Sequence, residues 1–193
     1  RLYVKRFEEE TNLRAHLILD TSKSMSYSSN KVTKLEYGSY LLAALAYLMI
    51  NQQDAVGVVL FDENIRSFIP PKSTPSHLNT LLNTLDVKQP GNDTKIETVL
   101  HEMAERINKR GLVIIISDLL DNPKSILNGL KHFRHKNQEV ILFHIFDRNE
   151  LEFNFNDRIN FIDMESGDEI TTDPWHIKND YKNLVLNFQK YLN

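Results

Sequence analysis

Five consecutive apolar residues, Leu112-Val-Ile-Ile-Ile116, constrain this chain more than any other feature. Three are isoleucines and one is a valine, and no polar residue alternates with them. Such a run fits a strand buried on both faces, as in a parallel sheet, rather than one with a wet side. Ser117-Asp118 closes it. A second apolar run, Leu17-Ile-Leu19, also stops at a carboxylate, Asp20. Parallel strands need long crossovers, and segments of helical periodicity lie between the strand-like runs.

In order, the pattern predicts a strand over about 13–20 and a polar loop at Tyr27 to Lys31. A helix over about 33–52 opens on the capping box Thr33-x-x-Glu36. The second half of that helix is apolar almost all round, which predicts burial. Strand 54–62 follows, then a turn at Asp62-Glu-Asn64 and an edge strand over 65–69 ended by Pro70-Pro71. Next come a helix over 76–85 and a helix over 94–109 stopped by Gly111 at a C′-like position. After strand 112–116, Asn122-Pro123 reads as cap and first residue of a helix over 123–136. A buried strand over 139–146 ends at Asp147. Short strands near 159–163 and 169–172 precede a helix from about 174, where Trp175 reads as a packing residue. The expected architecture is an α/β three-layer sandwich. Its central sheet is mostly parallel with one antiparallel edge strand, and helices cover both faces in a Rossmann-type arrangement.

Length and composition narrow the function classes. The 193 residues fit one domain spanning 1–193. The chain opens at Arg1 without methionine or signal-peptide pattern and reads as a segment of a longer protein. A net charge of −3 offers no basic footprint for nucleic acid or anionic membrane. No apolar run reaches membrane-spanning length. Cysteine is absent, which removes disulfides, thiolate metal sites and cysteine nucleophiles, and fits a cytoplasmic setting.

In open α/β sheets, sites lie beyond the carboxyl ends of the strands. Four strands here lead to an aspartate: Asp20, Asp62, Asp118 and Asp147. The hairpin turn accounts for Asp62. Asp20 starts Asp20-Thr-Ser22-Lys-Ser24, a carboxylate and two hydroxyls in one tight loop. Such all-oxygen donors suit a hard cation such as Mg²⁺, which keeps several waters. With Thr94 and Asp118 the expected metal set is Asp20, Ser22, Ser24, Thr94 and Asp118. Each member also has a plainer reading. Ser and Asp are common after strands, Thr94-x-x-Glu97 is itself a capping box, and Asp118 could cap the following turn.

Taken together these residues resemble the metal-ion-dependent adhesion site of von Willebrand factor A-type domains, Asp-x-Ser-x-Ser followed by Thr and Asp. More narrowly, the chain resembles the bacterial domain-of-unknown-function family 58. That match rests on residues 2–13, the site loop, Thr33-Lys-Leu-Glu-Tyr37, Gln53-Asp-Ala-Val-Gly57, Ile116-Ser-Asp-Leu-Leu120 and Glu150-Leu-Glu-Phe153. The resemblance implies a non-enzymatic interaction domain. Ser22 and Ser24 would bind Mg²⁺, Mn²⁺ or Ca²⁺ directly, Asp20 and Asp118 mostly through water, and Thr94 either way. A partner's carboxylate would fill an open position. The family's usual Gly-Gly-Thr is Asn92-Asp93-Thr94 here, so Thr94 sits in a departed motif, and Thr21 has no assigned role. The resemblance also implies a MoxR-type AAA+ ATPase as partner, in protein maturation or stress response.

Two alternatives belong to other classes. A haloacid-dehalogenase-like Mg²⁺ phosphatase would use Asp20 as nucleophile, but the general acid expected two residues on is Ser22. A metal-free scaffold would act through its surface alone. Ser28-x-x-Lys31 matches a penicillin-binding spacing and reads better as a loop. His132 and His135 share a helix face at its solvated end.

Overall fold

The computed structural model describes residues 13–86, 96–155, 158–163 and 167–192. Its sheet has the strand order β3-β2-β1-β4-β5. The strands are β1 (Arg14–Asp20), β2 (Ala55–Phe61), β3 (Ile65–Lys72), β4 (Leu112–Ser117) and β5 (Glu139–His144). β1 runs parallel to β2 and β4, β4 parallel to β5, and only β3 is antiparallel. The helices are α1 (Lys34–Asn51), α2 (Pro75–Thr84), α3 (Ile96–Arg106), α4 (Pro123–His135), α5 (Arg148–Glu152) and α6 (Pro174–Leu192). A hairpin of β6 (Ile159–Ile162) and β7 (Glu169–Thr172) stands apart from the main sheet. The α/β sandwich expected from the sequence is therefore the observed one.

The central strands alternate between two cores. Ala15, Leu17 and Leu19 of β1 join Ile114 and Ile116 of β4 beneath α1 and α2. Ile18 joins Val113 and Ile115 beneath α3 and α4, with Phe188 and Leu192 of α6 packed alongside. His16 and Asp20 share the parity of Ile18 and so belong to this second face. Consequently β1 leads into a helix on one face of the sheet and β4 into a helix on the other. The chain parts at the carboxyl ends of two adjacent strands, which opens a crevice there.

Several expectations need correction. The second half of α1 is not buried all round: Tyr47 and Leu48 are each more than half exposed, as are Tyr37 and Tyr40 in its first half. An outer-layer helix meets the sheet along one stripe, here Leu35, Leu42, Ala46, Met49 and Ile50. The strand over 139–146 is shorter and sits at the sheet edge, where its residues are half-buried or exposed. Trp175 is 78% exposed in the first turn of α6, and Pro174 is the residue buried there. β3 continues through Pro70 and Pro71 to Lys72. An edge strand tolerates proline at an irregularity, and the register shifts between Val56 and Val58. Gly57 makes this fit: a Cβ there would lie 2.6 Å from the Ile69 carbonyl oxygen and 2.9 Å from Pro71 N.

Gly111 is no helix-terminating C′ residue. α3 ends at Arg106, and a Cβ on Gly111 would lie 2.2 Å from the Arg14 carbonyl oxygen. The glycine exists for close backbone approach at the start of β1 and β4. The two predicted caps hold. Thr33 and Glu36 form the reciprocal capping box, and Asn122 accepts from the Lys124 amide with Pro123 at the first helical position.

Candidate metal site

Asp20 ends β1 and is 1% exposed. Its Oδ1 accepts the Ser22 amide at 2.9 Å, and its Oδ2 accepts the Ser117 hydroxyl at 2.6 Å. The Ser22 and Ser24 hydroxyls lie 3.0 Å apart. A short 3-10 turn, Ser24–Ser26, fixes this loop by sinking Met25 completely into the core under α1. Thr21 turns away: its hydroxyl donates to the Phe61 carbonyl at 2.8 Å and ties the loop to β2.

Asp118 follows β4 and is 2% exposed. Leu119 takes a left-handed φ of 52°, uncommon for a bulky side chain and typical of functional loops. The Ser117 hydroxyl secures that turn by accepting the Leu119 amide at 2.9 Å. Burial, and then the charge of Asp118, push the Asp20 carboxyl up to about 6, against the hydrogen bonds from Ser117 and Ser22. Asp118 directly follows Ser117, the residue that holds Asp20, so the two buried acids end neighbouring strands.

Asp20, Ser22, Ser24 and Asp118 are brought to the crevice where the chain parts. Thr94, with the neighbouring Asp93, lies outside the described residues. The assembled donors are all oxygen: two carboxylates and two hydroxyls. No group of three or more His, Asp or Glu side chains arranged to hold a metal occurs among the described residues. Any cation here would lean on hydroxyls and water for the rest of its shell.

Three residues of this centre escaped the sequence reading. Ser117 is the partner of Asp20. Lys34, 3% exposed, points its Nζ at Asp118 Oδ2 (2.8 Å) and at Glu150 Oε1 (2.6 Å). Burial opposes its charge, but Asp118 and then Glu150 outweigh that and hold its pKa above the usual lysine range. Glu150 uses its other oxygen to accept the Asp147 amide, closing the capping box of α5. One signal was available: Lys34 is the first residue of α1, where the helix dipole disfavours a cation, so a lysine there asks for anionic partners.

The remaining candidates are structural. Asp62 accepts from the Asn64 amide and from Arg66 Nε, as its hairpin requires. Asp147 is not a strand end; it caps α5 and accepts the Ser29 amide. The Ser28 hydroxyl donates to the Asn30 and Val32 carbonyls, which makes it a loop residue. His132 packs edge-on against His101, with ring centres 4.3 Å apart.

An open α/β sandwich with an acid-and-hydroxyl crevice at the switch between two adjacent parallel strands is the class these observations define. The chain belongs to the family described as "Protein of unknown function DUF58", whose model matches residues 1–190. Among solved structures it is similar to an aerotolerance-related membrane protein from Bacteroides fragilis NCTC 9343 carrying multiple mutations to serine. That likeness has a TM-score of 0.60 at 16% identity and covers 89% of this chain and 87% of the other. It is also similar to the conserved hypothetical protein BatB from Bacteroides thetaiotaomicron, with a TM-score of 0.54 at 18% identity, over 92% of this chain and 87% of that one. At these identities the likeness speaks to the fold. No curated protein matches the chain.

Proposed function

We propose that this chain is a von Willebrand factor A-like interaction domain without catalytic activity of its own. It would hold a divalent cation, Mg²⁺ or in its place Mn²⁺ or Ca²⁺, at Asp20, Ser22, Ser24 and Asp118, with Thr94 completing the set. The observation that carries this reading is the pairing of Asp20 and Asp118. Two buried carboxylates repel each other beside two hydroxyls 3.0 Å apart. A cation between them would relieve that repulsion, and the donors fit a hard ion. When bound, the ion would supply an electrophilic position for a carboxylate from a partner protein. Ser22 and Ser24 would orient on it, while Ser117 and the Ser22 amide keep Asp20 in place. The resemblance points to a MoxR-type AAA+ ATPase as that partner, and to protein maturation or stress response as the setting. The aerotolerance-related neighbour accords with the latter.

A metal-free scaffold is the second reading, favoured by one observation: Lys34 already gives Asp118 a positive partner. Isothermal titration of the metal-stripped protein with Mg²⁺ and Mn²⁺, beside a Ser22→Ala/Ser24→Ala double variant, separates the two. Binding by the wild type alone supports the metal reading. Equal heats from both proteins remove it from this loop.

A further inference from the structure

Lys34 is a buried cation at the edge of this crevice, and its surroundings are unusual. An ammonium sealed from water is costly unless paired, and this one also sits in the first turn of a helix, whose partial positive charge repels it. Two carboxylates keep it there, Asp118 at 2.8 Å and Glu150 at 2.6 Å, and the Tyr27 ring centre lies 5.8 Å away. Lys34 occupies Asp118 Oδ2, whereas among the described residues Oδ1 meets only the Leu120 amide, at 3.5 Å. Asp118 therefore presents one engaged and one weakly engaged oxygen to the crevice. Glu150 is anchored in turn through α5: its second oxygen accepts the Asp147 amide, and Asp147 accepts the Ser29 amide at 2.9 Å. The lysine is thus shared between the crevice and a short helix that lies outside it.

We propose that Lys34 sets the cation affinity of the site, which rests on the metal reading above. Its ammonium is a resident counter-charge that weakens Asp118 as a ligand, and Glu150 determines how much of that charge Asp118 feels. A divalent ion binds against this lysine. The consequence is a pair of substitutions with opposite effects. Lys34→Met keeps the aliphatic stem and removes the competing charge, so affinity rises. Glu150→Gln keeps the capping acceptor but leaves Lys34 to Asp118 alone and removes a nearby negative charge, so affinity falls.

The test is titration calorimetry of the metal-stripped full chain with Mn²⁺, with the thermal shift on adding Mn²⁺ as a second readout. Lys34→Met is expected to bind at least tenfold more tightly than wild type and to gain more in Tm from the metal, although its metal-free Tm is lower. Glu150→Gln is expected to bind several-fold more weakly. A lysine that only holds the loops together predicts the reverse for Lys34→Met, and equal or weaker binding by a folded Lys34→Met overturns the proposal. Should Lys34→Met fail to fold, unchanged or tighter binding by Glu150→Gln overturns it as well. Wild-type binding lost in Ser22→Ala/Ser24→Ala, with no gain in Lys34→Met, removes this inference and leaves the metal reading standing. Silence from wild type and both charge variants removes the metal reading and this inference with it.

Discussion

The Ser117 hydroxyl donates to Asp20 Oδ2 at 2.6 Å, joining the ends of β4 and β1 across 97 residues of chain. With the Ser22 amide on Oδ1, it gives each oxygen of a buried carboxylate a donor. The carboxyl nevertheless titrates near 6, because burial and then the neighbouring charge of Asp118 outweigh those hydrogen bonds. At neutral pH the fold therefore carries a charge it would shed more readily than an unfolded chain would. Sites kept for binding commonly carry such a stability cost.

Asp20→Asn follows directly. Asparagine keeps the shape and removes the charge, so the metal-free variant should be more stable than wild type at pH 7.5, by about 1 to 3 kcal/mol. It should also lose any stabilisation by Mg²⁺. Urea denaturation with and without the metal reads both effects. A variant less stable than wild type without metal would contradict the electrostatic account.

Ser117→Ala should act in the opposite direction. It strips a donor from Asp20 Oδ2 and the acceptor from the Leu119 amide. Leaving buried polar groups unpaired costs about 1 to 3 kcal/mol. The left-handed turn at Leu119 loses its tie at the same time. Hydrogen exchange at the Leu119 amide should quicken beyond what the global loss of stability explains.

Gly111→Ala tests the close approach of strand ends. The added methyl would sit 2.2 Å from a backbone carbonyl oxygen, that of Arg14, so the chain itself must move. Overpacking of this kind costs about 1 to 3 kcal/mol. Thermal denaturation should register it, whereas alanine at a C′ glycine with positive φ would be destabilising through backbone strain, without moving β1. A shift in the amide resonances of Arg14 and Ala15 separates the two causes.

The parts of this molecule that were legible in its sequence are those with a local cause. Leu112–Ile116 could only be a strand buried on both faces, and the caps at Thr33 and Asn122 are fixed by residues within three positions. Asp20, Ser22 and Asp118 were legible because a parallel sheet delivers its strand ends to one edge. Lys34 and Glu150 were not, since they meet across 116 residues; a lysine opening a helix asks for an anionic partner but does not say which one. The burial of α1 was overread for a related reason. A helix rich in apolar residues announces that it has a face to bury, but whether anything covers its other side depends on the layers. The described residues place nothing over Tyr40 and Tyr47. Gly111 looks like a cap residue until the neighbouring backbone is in view, and the close approach that Gly57 permits within its strand is hidden for the same reason.

His16 supplies the last prediction, because its titration opposes that of Asp20 on the same face of β1. It is 7% exposed, packs 6.1 Å from the Phe68 ring, and its Nδ1 has no hydrogen-bond partner among the described residues. Burial, and then the charge of Arg14, lower its pKa to about 4. Between that value and the ordinary histidine pKa of about 6.5, the unfolded chain binds the proton and the folded one does not. Stability from His16 therefore rises with pH across this window, by at most about 3 kcal/mol. Asp20 does the reverse. Its folded pKa of about 6 exceeds the unfolded value of about 3.9, so its contribution is complete below pH 4 and is lost as pH climbs through 6. In the metal-free wild type the two slopes partly cancel between pH 4 and 6. Asp20→Asn should expose the rise due to His16, and His16→Leu the fall due to Asp20, while the double variant should be the flattest of the four proteins. Urea midpoints measured at half-unit steps from pH 4 to 7 would show this. Parallel curves for the wild type and His16→Leu would mean that His16 finds a proton-accepting partner in the folded state and is not held neutral by burial.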